Sequence, residues 1–181
     1  MTPKATTAIS AAFTLDSRSV TPAQTPFNPN NSNTYNYSNA LGPIYDSLGN
    51  PHELGAYFVK VPALNNTWDV YGTIDGNPVS TPSAPMQRYV FDTNGTLTTP
   101  ASGTFTVPTL TFTNGSAPIN TTVNLTGTTQ VGNPNAINAL KQDGYTSGQL
   151  TAFSINPDGT ITGTYSNEKT QLLGQVVLSS F

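Results

Sequence analysis

The chain has 181 residues, of which only 8% are charged, and its formal net charge is -3. Disordered chains usually combine low hydrophobicity with high net charge, so this chain, with 8 Tyr and 8 Phe, is predicted to fold as a β-protein. Its six basic residues are scattered and form no cluster for nucleic acid, at Lys4, Arg18, Lys60, Arg88, Lys141 and Lys169.

The N-terminal part of the chain is predicted to contain four strands and one long loop. Alternating residues 12–15 are typical of a strand, whereas residues 21–39 are rich in Pro and Asn, which break regular structure, and are predicted to form a loop. Residues 43–75 are predicted to form a hairpin with its turn at residues 46–50, followed by a third strand at residues 68–71.

A second block with strand patterning runs over residues 86–132. Asn94-Gly95 is predicted as a two-residue hairpin turn, and Asn114-Gly115 as another turn. Residues 136–144 are interpreted as a linker with at most one helical turn. Further short strands are predicted around the apolar residues Phe105, Val107, Leu110, Phe112, Val123 and Leu125.

The closing segment has the clearest alternation in the chain. A tight turn is predicted at residues 156–159, and the last strand at residues 175–178. The apolar positions that flank the turn are expected on one face of the sheet, together with one glycine, at Phe153, Ile155, Ile161, Gly163 and Tyr165. No segment combines helix caps with a 3.6-residue period, so the chain is predicted to be all-β.

The predicted fold class is all-β, with two β-barrel- or β-sandwich-like domains, the second inserted into the first. Residues 1–76 together with 143–181 are assigned to a discontinuous inner domain. Residues 77–142 are assigned to an inserted outer domain, because Pro- and Gly-rich edges flank this Thr- and Asn-rich block.

His52 is the one histidine and the first candidate for chemistry. Its neighbour Glu53 would suit general-base work, but no motif supplies a nucleophile, so His52 is expected at a turn or strand edge. A metal site needs several converging ligands, and the sequence shows no such spacing and no cysteine. We therefore predict no catalytic, cofactor-binding or metal site, and no enzyme.

The acidic and aromatic residues leave two further alternatives. Residues 92–95 and 156–159 resemble calcium loops, but both lack the later bidentate Glu. Trp68, with Tyr71 and Tyr89, would suit a sugar-stacking platform, although a lone Trp in a strand is more often in the core. Five acids precede a glycine by one to three positions and are expected to hold turns, at Asp46, Asp75, Asp92, Asp143 and Asp158.

Several motifs resemble the bacterial flagellar axial proteins, and most closely the flagellar hook proteins. In the closing stretch GYTSGQLTAFSINPDGTITGTYSNEKTQLLGQVVLSSF, the similar features are the Asp-Gly turn, Gly163 with Tyr165-Ser166-Asn167, Leu173-Gly174-Gln175 and the final Phe181. Earlier similar stretches are IYDSLGNPHEL, YFVK, WDVY and YVFDTNGTL. The likeness covers residues 24–97 and 143–181 and is diffuse over 98–142; Pro51 and Tyr89 are minor departures.

This resemblance implies a structural subunit of the flagellar hook, the flexible tubular joint that transmits motor torque to the filament. It implies an inner β-domain made of two chain segments, an outer β-domain between them, and no catalysis. The implied partners are identical hook subunits in a helical tube and, for the full-length protein, the rod, the hook cap and the hook–filament junction. Terminal helical segments of that family are missing here, so Met1 is interpreted as an artificial start and the chain is expected to be monomeric.

The implied location is the extracellular hook, reached through the flagellar secretion apparatus without a cleaved signal peptide. The first residues, MTPKATTAIS, lack the apolar core of a signal peptide, and no apolar run approaches the ~20 residues of a membrane-spanning helix. The alternative function is an extracellular carbohydrate-binding or adhesin-type β-sandwich module, supported by the Thr/Asn/Gly-rich composition and by Trp68 and Tyr71. A hydrolase with two facing carboxylates is a third, weaker hypothesis.

Overall fold

The computed structural model describes residues 1–80 and 84–177, whose regular secondary structure is almost entirely β-strand. One short 3₁₀ helix, Ser32–Thr34, interrupts the first long loop. No helix in the described part of the chain is long and apolar enough to cross a membrane. The strands are β1 Ala8–Asp16, β2 Tyr37–Tyr45, β3 Pro51–Lys60, β4 Thr67–Ile74, β5 Asn77–Pro78, β6 Gln87–Phe91, β7 Leu97–Thr99, β8 Thr104–Thr106, β9 Thr122–Asn124, β10 Thr129–Val131, β11 Ala136–Gln142, β12 Leu150–Ile155, β13 Thr160–Tyr165 and β14 Thr170–Gln175. The predicted all-β class is confirmed.

A six-stranded antiparallel sheet forms the middle of the molecule, in the order β2-β3-β4-β6-β7 with β5 added to β4. In β3, the buried residues Leu54, Ala56 and Phe58 alternate with residues that are only partly buried. The central strand β4 is buried on both faces, because the predicted loop folds back and stacks Phe27 on Tyr71 at 4.4 Å between ring centroids.

A second sheet is built around β1, in the order β10-β1-β9-β8, with β11 on the other edge of β1. β1 pairs in parallel with β9 and β10 and antiparallel with β11. Residues 136–144 were predicted to be a linker, and this is wrong for β11. The side chains of β11 are mostly exposed and show no alternation, so pairing with β1 determines the strand, not its own pattern.

These two sheets enclose one apolar core. Phe13 of β1 packs on Phe58 of β3 at 4.8 Å between ring centroids, and Tyr89 of β6 meets Phe105 of β8 edge-on at 6.1 Å. The core members are buried residues from both sheets, from Ile9 to Leu125. Residues 8–142 are therefore held together by shared strand pairing and shared burial.

The strands follow a different grouping from the predicted domain division. The predicted seam at 76/77 falls in the turn between β4 and β5, two strands that pair with each other, and β6 pairs with β4 beyond it. The Pro-rich stretch is thus a connection within one sheet and not a boundary between sheets. The other predicted seam, at 142/143, coincides with the end of β11. As a statement about independently folding domains, the division stays a prediction.

The closing segment forms a separate three-stranded meander, β12-β13-β14. The predicted turn at residues 156–159 is confirmed: the N–H of Gly159 donates to the carbonyl of Asn156 at 2.9 Å, and Gly159 has a φ of 85°. The last strand was predicted at residues 175–178, but β14 already ends at Gln175. Residues 176–177 continue without strand structure, and Leu178 lies outside the described residues.

Two of the shorter elements also differ from the predictions. The β6–β7 hairpin has a five-residue turn and not a two-residue one, because the Asp92 carboxylate accepts from the N–H groups of Asn94 and Thr96 and widens it. The strand predicted at Leu110 and Phe112 is a single bridge between Leu110 and Ile119.

Candidate functional site

His52 lies in β3 at a junction of charged side chains. Its Nδ1 is 2.7 Å from Oδ2 of Asp75, and its Nε2 is 3.1 Å from Oδ2 of Asp46. The ring stacks on Phe112 with 3.6 Å between centroids and 15° between planes. The sequence predicted a strand-edge position for His52 and turn roles for both Asp residues, and it missed that the three side chains meet. Glu53, the suspected partner, is exposed and meets Asp75 through its backbone: its N–H donates to the Asp75 carboxylate, and its carbonyl accepts from the N–H of Asp75.

The two carboxylates favour the charged form of His52. Burial alone lowers the pKa of His52, but the hydrogen bonds to Asp75 and Asp46 outweigh burial, so the pKa lies above the ordinary 6.5. Burial has the opposite effect on Asp46 and raises its pKa, yet hydrogen bonds from Asn50, Asn114 and His52 hold this pKa well below its usual range. Asp46 is therefore a buried carboxylate that its neighbours keep ionised.

This junction has no arrangement for nucleophilic or metal chemistry among the described residues. Both polar contacts of the His52 ring go to carboxylates. The nearby Ser47 hydroxyl accepts from the backbone N–H of Ala117 and does not contact the ring nitrogens. Across residues 1–80 and 84–177, no group of three or more His, Asp or Glu side chains is placed to hold a metal ion. The contacts of His52 with Asp46 and Asp75 therefore connect β3 with the β2–β3 and β4–β5 turns.

The aromatic residues considered for sugar stacking are buried. Trp68 is 0% exposed, and its Nε1 donates to Oε1 of Gln130 at 2.7 Å. Tyr89 is 1% exposed and donates its hydroxyl to the carbonyl of Gly103. Tyr71 lies under Phe27. The core interpretation of Trp68 is confirmed, and the platform interpretation is wrong because all three side chains are buried.

The two loops compared with calcium sites use their carboxylates to hold turns. In the first, Asp92 Oδ1 accepts from two backbone N–H groups. In the second, Asp158 Oδ1 accepts from the N–H and the hydroxyl of Thr160 at 3.0 and 2.6 Å. These bonds from Thr160 lower the pKa of Asp158, so the carboxylate is ionised and occupied. The predicted turn role of both Asp residues accounts for all of these contacts.

The closing sheet presents an exposed apolar face. The register places Phe153 opposite Gly163, Ile155 opposite Ile161 and Leu150 opposite Tyr165. Phe153, Ile155 and Leu150 are 67%, 61% and 51% exposed. The shared face was predicted from alternation and is confirmed. Its exposure was not predicted, since alternation usually signals that one face is buried.

A family model and curated relatives agree on one family. The model of the flagellar basal body protein FlaE D2 domain matches residues 14–145. The flagellar hook protein FlgE of Salmonella typhimurium is 36% identical over 182 residues, covering 100% of this chain and 44% of its own length. The Escherichia coli protein of the same name is 37% identical with the same coverage. The crystal structure of Helicobacter pylori flagellar hook protein FlgE2 superposes with a TM-score of 0.49 at 18% identity, over 77% of this chain and 32% of that one.

The match to the family model covers well over half of the chain and spans β2 to β11. It also runs continuously across residues 76 and 77, as the strand pairing does. The chain spans less than half the length of the two curated relatives. The chain belongs to the flagellar basal body protein FlaE D2 domain family.

Proposed function

We propose that this chain is part of a structural subunit of the bacterial flagellar hook. The observation that carries the proposal is the alignment of the whole chain with proteins named flagellar hook protein FlgE, at 36% and 37% identity. Its partners would be identical subunits in a helical tube and, at the hook ends, the rod, the hook cap and the hook–filament junction. It would act by self-assembly without catalysis, outside the cell, after export without a cleaved signal peptide.

The geometry suits a load-bearing element. The core between the two large sheets is continuous, and the polar junction at His52 holds turns and does not open into a reactive cleft. The exposed apolar face of β12–β14 is the kind of surface that packing against further protein would bury. These features support the structural role. The adhesin alternative loses its specific support, because Trp68 and Tyr71 are buried.

Immunogold electron microscopy tests the location. Antibodies raised to this chain, applied to intact flagellated cells of the source strain, are expected to label the short curved segment between the cell surface and the filament. Pre-immune serum and a strain deleted for the gene serve as controls. Gold spread over the cell surface, with the hook bare, would overturn the proposal and favour an adhesin.

A chimera tests the assembly role. The matching part of the Escherichia coli relative is replaced by this chain and expressed in a strain that lacks its own hook protein. Hooks visible by electron microscopy and restored swimming are the expected result. A soluble, secreted chimera that forms no hooks would count against the proposal. A second chimera, with Phe153→Asp, is altered only on the exposed apolar face of β12–β14.

A further inference from the structure

Three segments distant in sequence meet at His52. Two are the turn at residues 46–50 and the turn that contains Asp75. The third is an arm, residues 107–121. It is closed by one backbone hydrogen bond, from the N–H of Val107 to the carbonyl of Thr121, and by a mutual pair between Leu110 and Ile119. The tip of the arm lies on the first turn and on the His52 ring.

The tip makes three contacts with this junction. The Phe112 ring stacks on the imidazole. Asn114 Nδ2 donates to Oδ2 of Asp46 at 2.6 Å, and the N–H of Ala117 donates to Oγ of Ser47 at 2.9 Å. One of the three therefore depends directly on the imidazole, and a second depends on Asp46, which the imidazole also contacts.

The two nitrogens of His52 both face carboxylate oxygens, at 2.7 Å and 3.1 Å. An ionised carboxylate can only accept, so both contacts are hydrogen bonds only if both nitrogens carry a proton. A neutral imidazole has one N–H, and its other nitrogen would present a lone pair to a carboxylate. The observed geometry therefore matches the imidazolium form.

We propose that His52 is a pH-dependent latch, which holds the tip of the 107–121 arm against the β2–β3 turn while both ring nitrogens are protonated. Loss of one proton breaks one carboxylate contact and removes the positive charge from the face on which Phe112 stacks. The ring then reorients, and the arm tip loses its platform.

The charged groups around the ring set the direction of the switch. The β2–β3 turn contributes Asp46, the β4–β5 turn contributes Asp75, and β3 contributes the exposed Glu53. The arm contributes Phe112 and Asn114, which do not titrate. The pKa of His52 is raised and that of both Asp residues is lowered, so the latch is closed around neutral pH and opens as pH rises through the raised value.

NMR titration of the 181-residue chain tests the latch. The ring resonances of His52 and the amide resonances of residues 110–119 are followed from pH 5 to about pH 9. We expect both to titrate with the same midpoint, above 6.5. Exchange of the arm amides, corrected for the intrinsic rate, is expected to rise about tenfold or more across that midpoint, the loss expected for one charge-assisted hydrogen bond. Amides of β12–β14 serve as an internal control and should not follow it.

Two variants separate the latch from a structural role. His52→Gln has no titratable ring and is expected to abolish the pH dependence of the arm. Phe112→Leu leaves the His52 imidazole and both carboxylates in place. His52 should therefore still titrate, while the pH-dependent change in the exchange of the arm amides becomes smaller. An arm that does not respond while the His52 ring titrates would overturn the proposal, as would an unchanged response in either variant. If His52→Gln fails to fold, Phe112→Leu and the wild-type titration still decide.

Discussion

Gly95 is the glycine for which a substitution should be most costly. It lies in the β6–β7 turn with a φ of 83°, where any other residue costs about 1–2 kcal/mol. A Cβ at this position would overlap the carbonyl oxygen of Gln130 in β10. The same residue donates its N–H to the carbonyl of Gly95 at 3.0 Å and accepts from Trp68 with its side chain. A shift of Gln130 would therefore disturb both the turn and the core.

Gly95→Ala is expected to lower the free energy of unfolding by about 2–4 kcal/mol, which combines the backbone strain with a steric clash at a packed junction. Gly76→Ala is the matched control, since Gly76 has a φ of 81° and no atom lies within 4 Å of the place where the added methyl group would sit. It should lose only the strain, about 1–2 kcal/mol. Urea unfolding followed by the fluorescence of the single tryptophan, Trp68, measures both. Equal losses in the two variants would refute the steric argument.

Three further changes have distinct expected outcomes. Glu168→Gly should raise the free energy of unfolding by about 0.5–1 kcal/mol in urea, because Glu168 has a φ of 64° that glycine adopts without strain. Burial raises the pKa of Asp143, but hydrogen bonds from Thr7 and Ala8 lower it more. The stability that this carboxylate contributes is therefore present above pH 3.8, and it is lost as the pH falls through the lowered pKa of Asp143 in the folded chain. Asp143→Asn should flatten that part of the acid unfolding curve. Phe153→Thr should change stability by less than about 0.5 kcal/mol and weaken binding of a hydrophobic dye, because Phe153 is 67% exposed.

The positions of three turns were predictable because their signals are local, although the β6–β7 turn is longer than predicted. At residues 46–50, 92–96 and 156–160, the first N–H donates to the last carbonyl, and the glycine at the fourth position donates back to the first carbonyl. Each glycine has a positive φ, and two of the three turns have the Asx-Gly sequence that favours it, at Asn94-Gly95 and Asp158-Gly159. The turn at residues 165–169 has the same two bonds with Glu168 in the glycine position, so the sequence carried no signal for it.

The pairing of β1 was not predictable from local pattern. Its alternation indicates a strand, but nothing in residues 8–16 specifies parallel partners more than 100 residues later. Those partners, β9 and β10, are three residues each, too short for a period to show. The predicted domain division relied on composition instead, and composition changes at the Pro-rich connection without any change of sheet.

The junction at His52 shows the same limit at the level of side chains. The turn role of Asp46 was predictable and is present, since Asp46 accepts from the N–H of Asn50. Asp75 lies in the β4–β5 turn with a φ of 49°, but its carboxylate accepts from the N–H of Glu53 in β3 and not from its own turn. Their remaining oxygens meet His52 only because the β2–β3 and β4–β5 turns lie side by side in the sheet. The ring of Phe112 comes from an arm about 60 residues later, and no spacing rule in one sequence connects such positions.

The two ends of the large β-unit are fastened to each other. Lys4 and Tyr145 exchange two backbone hydrogen bonds at 2.9 Å, and the Met1 amino group donates to the carbonyl of Gly148 at 2.8 Å. Asp143 accepts from the N–H groups of Thr7 and Ala8 at the same crossing. Force applied at the closing sheet therefore reaches residues 8–142 through two cross-linked segments and not through one free linker. Such a crossing keeps residues 8–142 oriented relative to the closing sheet, because rotation about either segment alone would break bonds to the other. For a proposed subunit of a torque-bearing tube, this crossing, which also contains the ion pair between Lys4 and Asp143 at 3.0 Å, is where stiffness between the two parts should be set.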